Sequence, residues 1–207
     1  CRGIDVYLID AYESILYGMD PFLIESAYRR LTELGVHVWH NNRISEVRPQ
    51  EILLDNGKTL RFEFMIFTGG IAASTLTKYL GFETNPKGHL IVDEMLNIPG
   101  YDTIYAVGDV THGQDKEGKF IPPTAQFAER GAEHAAENIL RSLEDKPKKP
   151  FKYTNQGIMI ALGGEYGAGL LPGGIKVKGY LAYLIKKAIF RLYTTPLRRR
   201  SALGKRR

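Results

Sequence analysis

Two short apolar runs, IDVYLID at residues 4–10 and VHVWH at 36–40, flank a stretch that reads as one complete helix, DPFLIESAYRRLTELG. Asp20 supplies an N-cap, Pro21 suits the first helical position and Gly35 stops the helix. Leu23, Ile24, Ala27, Leu31 and Leu34 recur at helical spacing and predict one buried face. Strand, helix and strand in this order form a β-α-β unit. The intervening helix carries the chain back, so the second strand runs parallel to the first. The expected class is therefore α/β.

The segments that follow differ in character. Residues 43–67 alternate in short pieces around Asn56-Gly57, a hairpin turn signal, and predict a meander leading into a continuous apolar strand from Phe64 to Phe67. That strand ends on Thr68, Gly69 and Gly70. A short helix over 74–80, a turn at NPKG, the extended run HLIVDEMLNIPG and a strand from Ile104 to Val107 come next. Pro122 or Pro123 opens a further helix whose small face, Ala125, Ala128, Ala132, Ala135, Ala136 and Ile139, suits close packing on a sheet. EDKPKKP ends it as a linker, residues 151–175 are glycine-rich strand or loop, and YLAYLIKKAIFRLY is amphipathic ahead of Pro196.

Composition narrows the chemistry. Of 207 residues, 43% are apolar and 25% charged, as in a folded protein. The net charge of +5 is local: from Lys176 onward there are eleven Lys or Arg and no Asp or Glu, which leaves residues 1–175 at −6. Such a tail is expected to meet an anionic surface. Cys1 is the only cysteine, so an internal disulfide, a CxxC pair and a cysteine zinc site are excluded, and any redox chemistry needs another carrier. No apolar run of about 18 residues predicts a membrane-crossing helix. The sequence opens on a strand without an initiator Met, as expected of a fragment.

Candidate binding residues cluster at strand exits. Asp10 leaves the first strand at the end where open parallel sheets bind ligands, and its carboxylate can accept hydrogen bonds from an adenosine ribose while repelling a 2′-phosphate. A surface aspartate leaving a strand reads equally well. Thr68, Gly69 and Gly70 let backbone approach a ligand, or make a tight turn. Gly108 and Asp109 repeat the pattern ahead of a helix whose N-terminal amides favour negative charge, a setting for a reduced flavin, although an aspartate capping a turn also fits. His37 and His40, three apart on a strand, point to opposite faces and do not form a metal pair. GGEYGAGLLPGG lacks the lysine and hydroxyl of a phosphate loop. No nucleophile or paired-carboxylate arrangement is found. In the tail, Leu181, Leu184, Ile185, Ala188, Ile189 and Leu192 form an apolar face edged by Lys186, Lys187 and Arg191, with three arginines at 198–200. This suits a helix lying in a membrane interface, or one docked on its own domain. Nucleic acid is disfavoured, because few aromatics and no recognition motif accompany the charge.

VYLIDAYESIL, FTGG, GHLIVDEMLNIPGYDTIYAVGDV and PPTAQFAERGAEHAAENI, in that order, resemble the type II NADH dehydrogenases (NADH:quinone oxidoreductases) of the FAD-dependent pyridine nucleotide-disulfide oxidoreductase superfamily. The likeness covers roughly residues 4–165 and extends weakly into the tail. It implies a partial Rossmann-like NAD(H) domain over 1–98, the returning segment of an FAD domain over 99–150, and a C-terminal region over 151–207 with a basic amphipathic membrane helix. It also implies that Asp10 binds the NAD ribose and Thr68, Gly69 and Gly70 line the nicotinamide cleft. Gly108 and Asp109 contact FAD, and Thr124, Ala125 and Gln126 stand by the isoalloxazine and the quinone entrance.

The activity implied is hydride transfer from NADH to FAD and then electron transfer to a quinone without proton pumping. The cofactors are FAD and NAD(H), and the protein would be held peripherally on the cytoplasmic face of a bacterial or archaeal membrane through residues 176–207. Alternatives are a soluble flavin reductase with another acceptor and a non-catalytic nucleotide sensor. One departure stands out: Arg130 occupies a position where that family usually has a glutamine. The missing cysteine pair disfavours the disulfide reductases, and the lack of any cysteine past Cys1 disfavours sulfide:quinone reductases. Both glycine fingerprints would lie upstream. An incomplete sheet would expose an edge and apolar surface, open to pairing as a homodimer or to aggregation.

Overall fold

The structure, a computed structural model, describes residues 3–114, 118, 120, 121 and 123–204, with the side chains of 193 and 196–204 excepted. Cys1 and Pro122, singled out from the sequence, lie outside the described residues. The chain forms two compact units, one of residues 1–66 with 156–207 and one of residues 67–155.

The first unit opens as expected. β1 (Val6–Ile9) and β2 (Val36–Trp39) are parallel, with Val6 opposite Val36 and Ile9 opposite Trp39. Between them runs α1 (Pro21–Glu33), capped by Asp20, whose Oδ1 accepts the Phe22 N–H at 2.8 Å. Leu23 and Ala27 are buried, whereas Leu34, expected on the same face, follows the last helical residue and is half exposed. Gly35, at φ +77°, then turns the chain, its N–H bonded to Thr32 O at 2.9 Å. The predicted meander is present as β3 (Ile44–Arg48), β4 (Glu51–Leu54) and β5 (Thr59–Arg61), all antiparallel, with Ile52 and Leu54 buried beneath it.

The strand expected over Phe64–Phe67 does not form. Among the described residues no strand pairs with this segment, and Phe64, Ile66 and Phe67 are 81%, 72% and 75% exposed. Apolar sequence gives a strand only where a neighbour supplies ladder hydrogen bonds.

In the second unit, Thr75–Tyr79 is a 3-10 turn rather than an α-helix, capped by Ser74. β6 (Leu90–Ile91), β7 (Asn97–Ile98), β8 (Tyr101–Tyr105) and β9 (Thr111–His112) follow, β6 parallel to β9 and β7 antiparallel to β8. The last of the predicted strands thus starts three residues early and stops before Val107. Leu90, Ile98 and Ala106 form a core with Phe82, Val92 and Ile104 against it.

α2 (Ala125–Leu143) begins at Thr124, whose Oγ1 accepts the Phe127 N–H at 3.2 Å. Its buried stripe is Phe127, Gly131, Ala135 and Asn138. This differs from the alanine face read from the sequence, because Ala125, Ala132, Ala136 and Ile139 are exposed. Phe127, with rings of Phe151 and Tyr153 edge-on at 5.9 and 6.1 Å, sets the rotation, since one aromatic buries more apolar area than several methyls. The EDKPKKP run is coil but clasped: Asn138 Oδ1 accepts the Lys149 N–H and its Nδ2 donates to Lys149 O, each at 2.9 Å.

The chain then returns to the first unit as an antiparallel sheet of β10 (Ile158–Ala161), β11 (Gly167–Leu171) and β12 (Ile175–Gly179). α3 (Tyr180–Gly204) lies on it. A Cβ at Gly167 would stand 2.9 Å from Ile160 O and 3.4 Å from Tyr183 N, so glycine lets the first turn of α3 settle there. Ala182 is fully buried. The helix continues through Pro196, where the sequence suggested an end, and Thr194 and Thr195 hydroxyls donate back to Phe190 O and Arg191 O at 3.0 and 2.6 Å.

Candidate cofactor-binding site

Asp10 stands where β1 ends. Its N–H donates to Trp39 O at 2.9 Å and its carbonyl accepts from Asn42 N at 3.0 Å, which extends the parallel pairing by one residue. Oδ1 accepts the Tyr12 N–H at 2.9 Å, a local turn that fixes the carboxylate at the carboxyl end of the sheet. The other oxygen makes no protein hydrogen bond among the described residues and can accept from a ligand hydroxyl. Tyr12 then stacks on Tyr17 at 4.8 Å, with the rings 2° from parallel.

In the second unit the turn that carries Gly108 and Asp109 neighbours α2, whose N-terminal end carries Thr124, Ala125 and Gln126. Gly108–Val110 is a 3-10 turn, and Gly108 has φ +78°. A Cβ on Gly108 would lie 3.6 Å from the Ala128 Cβ, so this turn rests on the first turns of α2. Thr111 N–H and Oγ1–H both donate to Gly108 O, the hydroxyl at 2.7 Å. Asp109 is exposed, and no acidic residue occupies the first turn of α2. An exposed, acceptor-only carboxylate therefore stands on a turn that packs against α2, a helix whose N-terminal N–H groups favour negative charge. That pairing fits a ligand with hydroxyls at one part and an electron-rich ring edge at another, as in FAD.

Thr68, Gly69 and Gly70 lie in exposed coil of the same unit. Gly70 has φ +101°, and a side chain on Gly69 would run into the Phe67 ring. Arg130, the departure noted above, donates from Nη1 to Thr154 O at 3.3 Å and so braces the segment after α2. In the first unit His37 stacks on Tyr7 at 4.8 Å and His40 on Tyr28 at 5.7 Å, each with its own aromatic partner.

One group was not singled out from the sequence. Asn85 links His89 and His112: its Oδ1 is 3.2 Å from His89 Nδ1 and its Nδ2 is 3.1 Å from His112 Nδ1. His89 is 3% exposed, and burial, reinforced by His112 and Lys87, holds its pKa below the ordinary value, with Asp109 acting in the opposite sense. The only signal was NPKG followed by histidine, which read as a turn because the pairing with His112 is 27 residues distant.

Residues 2–132 match the pyridine nucleotide-disulphide oxidoreductase family model, and the chain belongs to that family. Among particular relatives, it is 29% identical over 196 residues to a type II NADH:quinone oxidoreductase of Haemophilus influenzae, covering 92% of this chain and 44% of that protein. A type II NADH:quinone oxidoreductase of Mycobacterium tuberculosis is 30% identical over 98% of this chain and 44% of its own length. Among solved structures, NDH2 of Plasmodium falciparum in complex with NADH superposes with a TM-score of 0.76 at 17% identity, covering 92% of this chain and 54% of that one. The Rossmann-like α/β class expected from the sequence is the fold observed. The chain spans less than half the length of these curated relatives.

Proposed function

We propose that the chain is part of an FAD-dependent NADH:quinone oxidoreductase. The observation that carries this reading is the seating of the Gly108–Asp109 turn, with its exposed carboxylate, on α2 in a chain of the pyridine nucleotide-disulphide oxidoreductase family. Bound there, FAD supplies the hydride acceptor for NADH and the two-electron donor for the quinone. The residues of this chain position and polarise. Asp109 accepts hydroxyls of the flavin side chain, and the Thr124–Gln126 end of α2 favours negative charge on the ring. Asp10 accepts the ribose hydroxyls of NADH and repels the extra phosphate of NADPH, while Thr68, Gly69 and Gly70 let the nicotinamide come close to backbone. None of them is an acid or a nucleophile.

In this reading residues 1–98 serve NADH, 99–150 serve the flavin, and 151–207 attach the enzyme to the cytoplasmic face of a membrane, with self-association as a homodimer. Supporting attachment, Leu181, Leu184, Ile189 and Leu192 of α3 stay exposed although α3 is docked through Ala182. No helix among the described residues is long and apolar enough to cross a membrane, so contact would be interfacial.

The test is spectroscopic. In a protein carrying this chain together with the family's glycine fingerprints, NADH should bleach the flavin absorbance and a quinone analogue should restore it. Bleaching that quinone cannot reverse leaves a flavin reductase with another acceptor. No bound flavin at all refutes the reading. Co-sedimentation with anionic vesicles should be lost on deleting 176–207.

A further inference from the structure

The Asp109 turn is gripped from both sides. Gly108 rests against Ala128 on one side, and on the other Thr111, the first residue of β9, bonds twice to Gly108 O. The next residue, His112, is itself locked, its ring stacked on Phe120 at 4.8 Å and its Nδ1 3.1 Å from Asn85 Nδ2. Asn85 therefore reaches the turn through His112.

Its amide orientation follows from the backbone. Oδ1 receives the N–H groups of Lys87 at 2.9 Å and His89 at 3.0 Å, so that atom is the oxygen. Nδ2 is then a donor, and His112 Nδ1 must be the bare acceptor, with its proton on Nε2. His89 Nδ1, facing the same oxygen at 3.2 Å, must instead carry a proton, which leaves Nε2 bare. That Nε2 is buried and has no partner among the described residues. One amide thus fixes two histidines in opposite tautomers.

A second proton has different consequences on the two rings. On His89 it would add charge to a buried nitrogen, against burial, His112 and Lys87, with Asp109 alone in favour. On His112 it must land on Nδ1, where it meets the Asn85 N–H, donor against donor, and the link breaks. Among the described residues, the charged and titratable groups that act on His89 are His112 from β9, Lys87 from the NPKG turn and Asp109 from the turn before β9.

We propose that Asn85 is a positioning residue for the Asp109 turn, acting through His112, and that protonation of His112 releases its hold. The functional meaning rests on Asp109 being a flavin contact; the tautomers and their coupling belong to the chain itself.

The test is ¹⁵N NMR of the imidazoles and of the Asp109 amide in protein carrying the full chain. In alkaline buffer His89 should show the Nδ1–H form and His112 the Nε2–H form. On acidification, the Asp109 amide should shift in step with His112 protonation. Asn85→Asp keeps an oxygen for the two backbone N–H groups and offers the other to a proton on His112 Nδ1. In that variant His112 should adopt the Nδ1–H form, and the Asp109 amide should no longer follow its titration. Asn85→Ala should leave the amide at its acid position at every pH. His112 carrying its proton on Nδ1 in the unsubstituted protein, or an Asp109 amide indifferent to His112, overturns the proposal. FAD fluorescence quenching with Asp109→Ala separates the two ideas. Unchanged quenching removes the flavin reading, while opposite tautomers would still uphold the Asn85 link.

Discussion

Gly108→Ala isolates what the Asp109 turn requires. Gly108 has φ +78°, and an added Cβ would sit 3.6 Å from the Ala128 Cβ, an ordinary contact. Space is therefore available, and the cost is conformational: left-handed backbone costs an L-residue about 1–2 kcal/mol. Replacing glycine also restricts the unfolded chain, which offsets about 0.4–1 kcal/mol. The net loss expected is about 1 kcal/mol, read as a lower urea midpoint at unchanged slope. Gly108→Asn should lose less, because asparagine tolerates this region better. Ala128→Gly should not rescue Gly108→Ala. Rescue by Ala128→Gly, or equal losses for alanine and asparagine, would show that crowding against α2 controls the turn and refute the conformational argument. With Asp109 as the flavin contact proposed above, the alanine variant should also weaken FAD binding.

Other perturbations probe the supports of the site. Asn138→Ala removes two hydrogen bonds to the Lys149 backbone from a fully buried position. At about 1 kcal/mol each, less about 0.6 kcal/mol of gained helix propensity, the loss is about 1.5 kcal/mol, and trypsin should cut faster after Lys148, the lysine of this run that no proline follows. Gly131→Ala should stabilise by about 0.5–1 kcal/mol, since its Cβ would meet Leu96 Cδ1 at 3.5 Å and Val107 Cβ at 3.7 Å without overlap while helix propensity rises; destabilisation would mean that α2 cannot yield. His89 has a pKa below its ordinary 6.5 in the fold. Below pH 6.5 the unfolded chain takes up this proton before the folded one, so stability falls as pH drops toward the folded value and is fully present above 6.5. Thermal melts of His89→Leu should show a shallower acid dependence than the parent.

Legibility in the sequence followed how local each determinant is. Asp20, Pro21 and Gly35 bound α1 because a cap, a first-turn proline and a left-handed stop act within a few residues, and Asn56-Gly57 sets its hairpin in the same way. Asp10 leaves β1 as its polar residue at the end of an apolar run suggests, whereas β8 ends at Tyr105 and the Gly108–Asp109 turn follows two residues of coil. The Phe64–Phe67 strand failed because strand formation depends on a partner, which no local pattern supplies. The rotation of α2 was misjudged for a related reason. Alanine spacing marks a face that can pack closely, whereas the face that does pack is chosen by Phe127 and by Phe151 and Tyr153 beyond the linker.

The same distinction applies to the Asp109 turn, proposed above as a cofactor contact. Asp109 needs no special neighbour in the chain. Its placement comes from Gly108 against Ala128, from Thr111, and from Asn85 acting through His112, contacts that span 20, 3 and 27 residues. A substitution at any of these supports should therefore alter the site while leaving Asp109 and the helix caps intact. Motif inspection would score such a variant as unchanged, and only a measurement on the turn itself would reveal the loss.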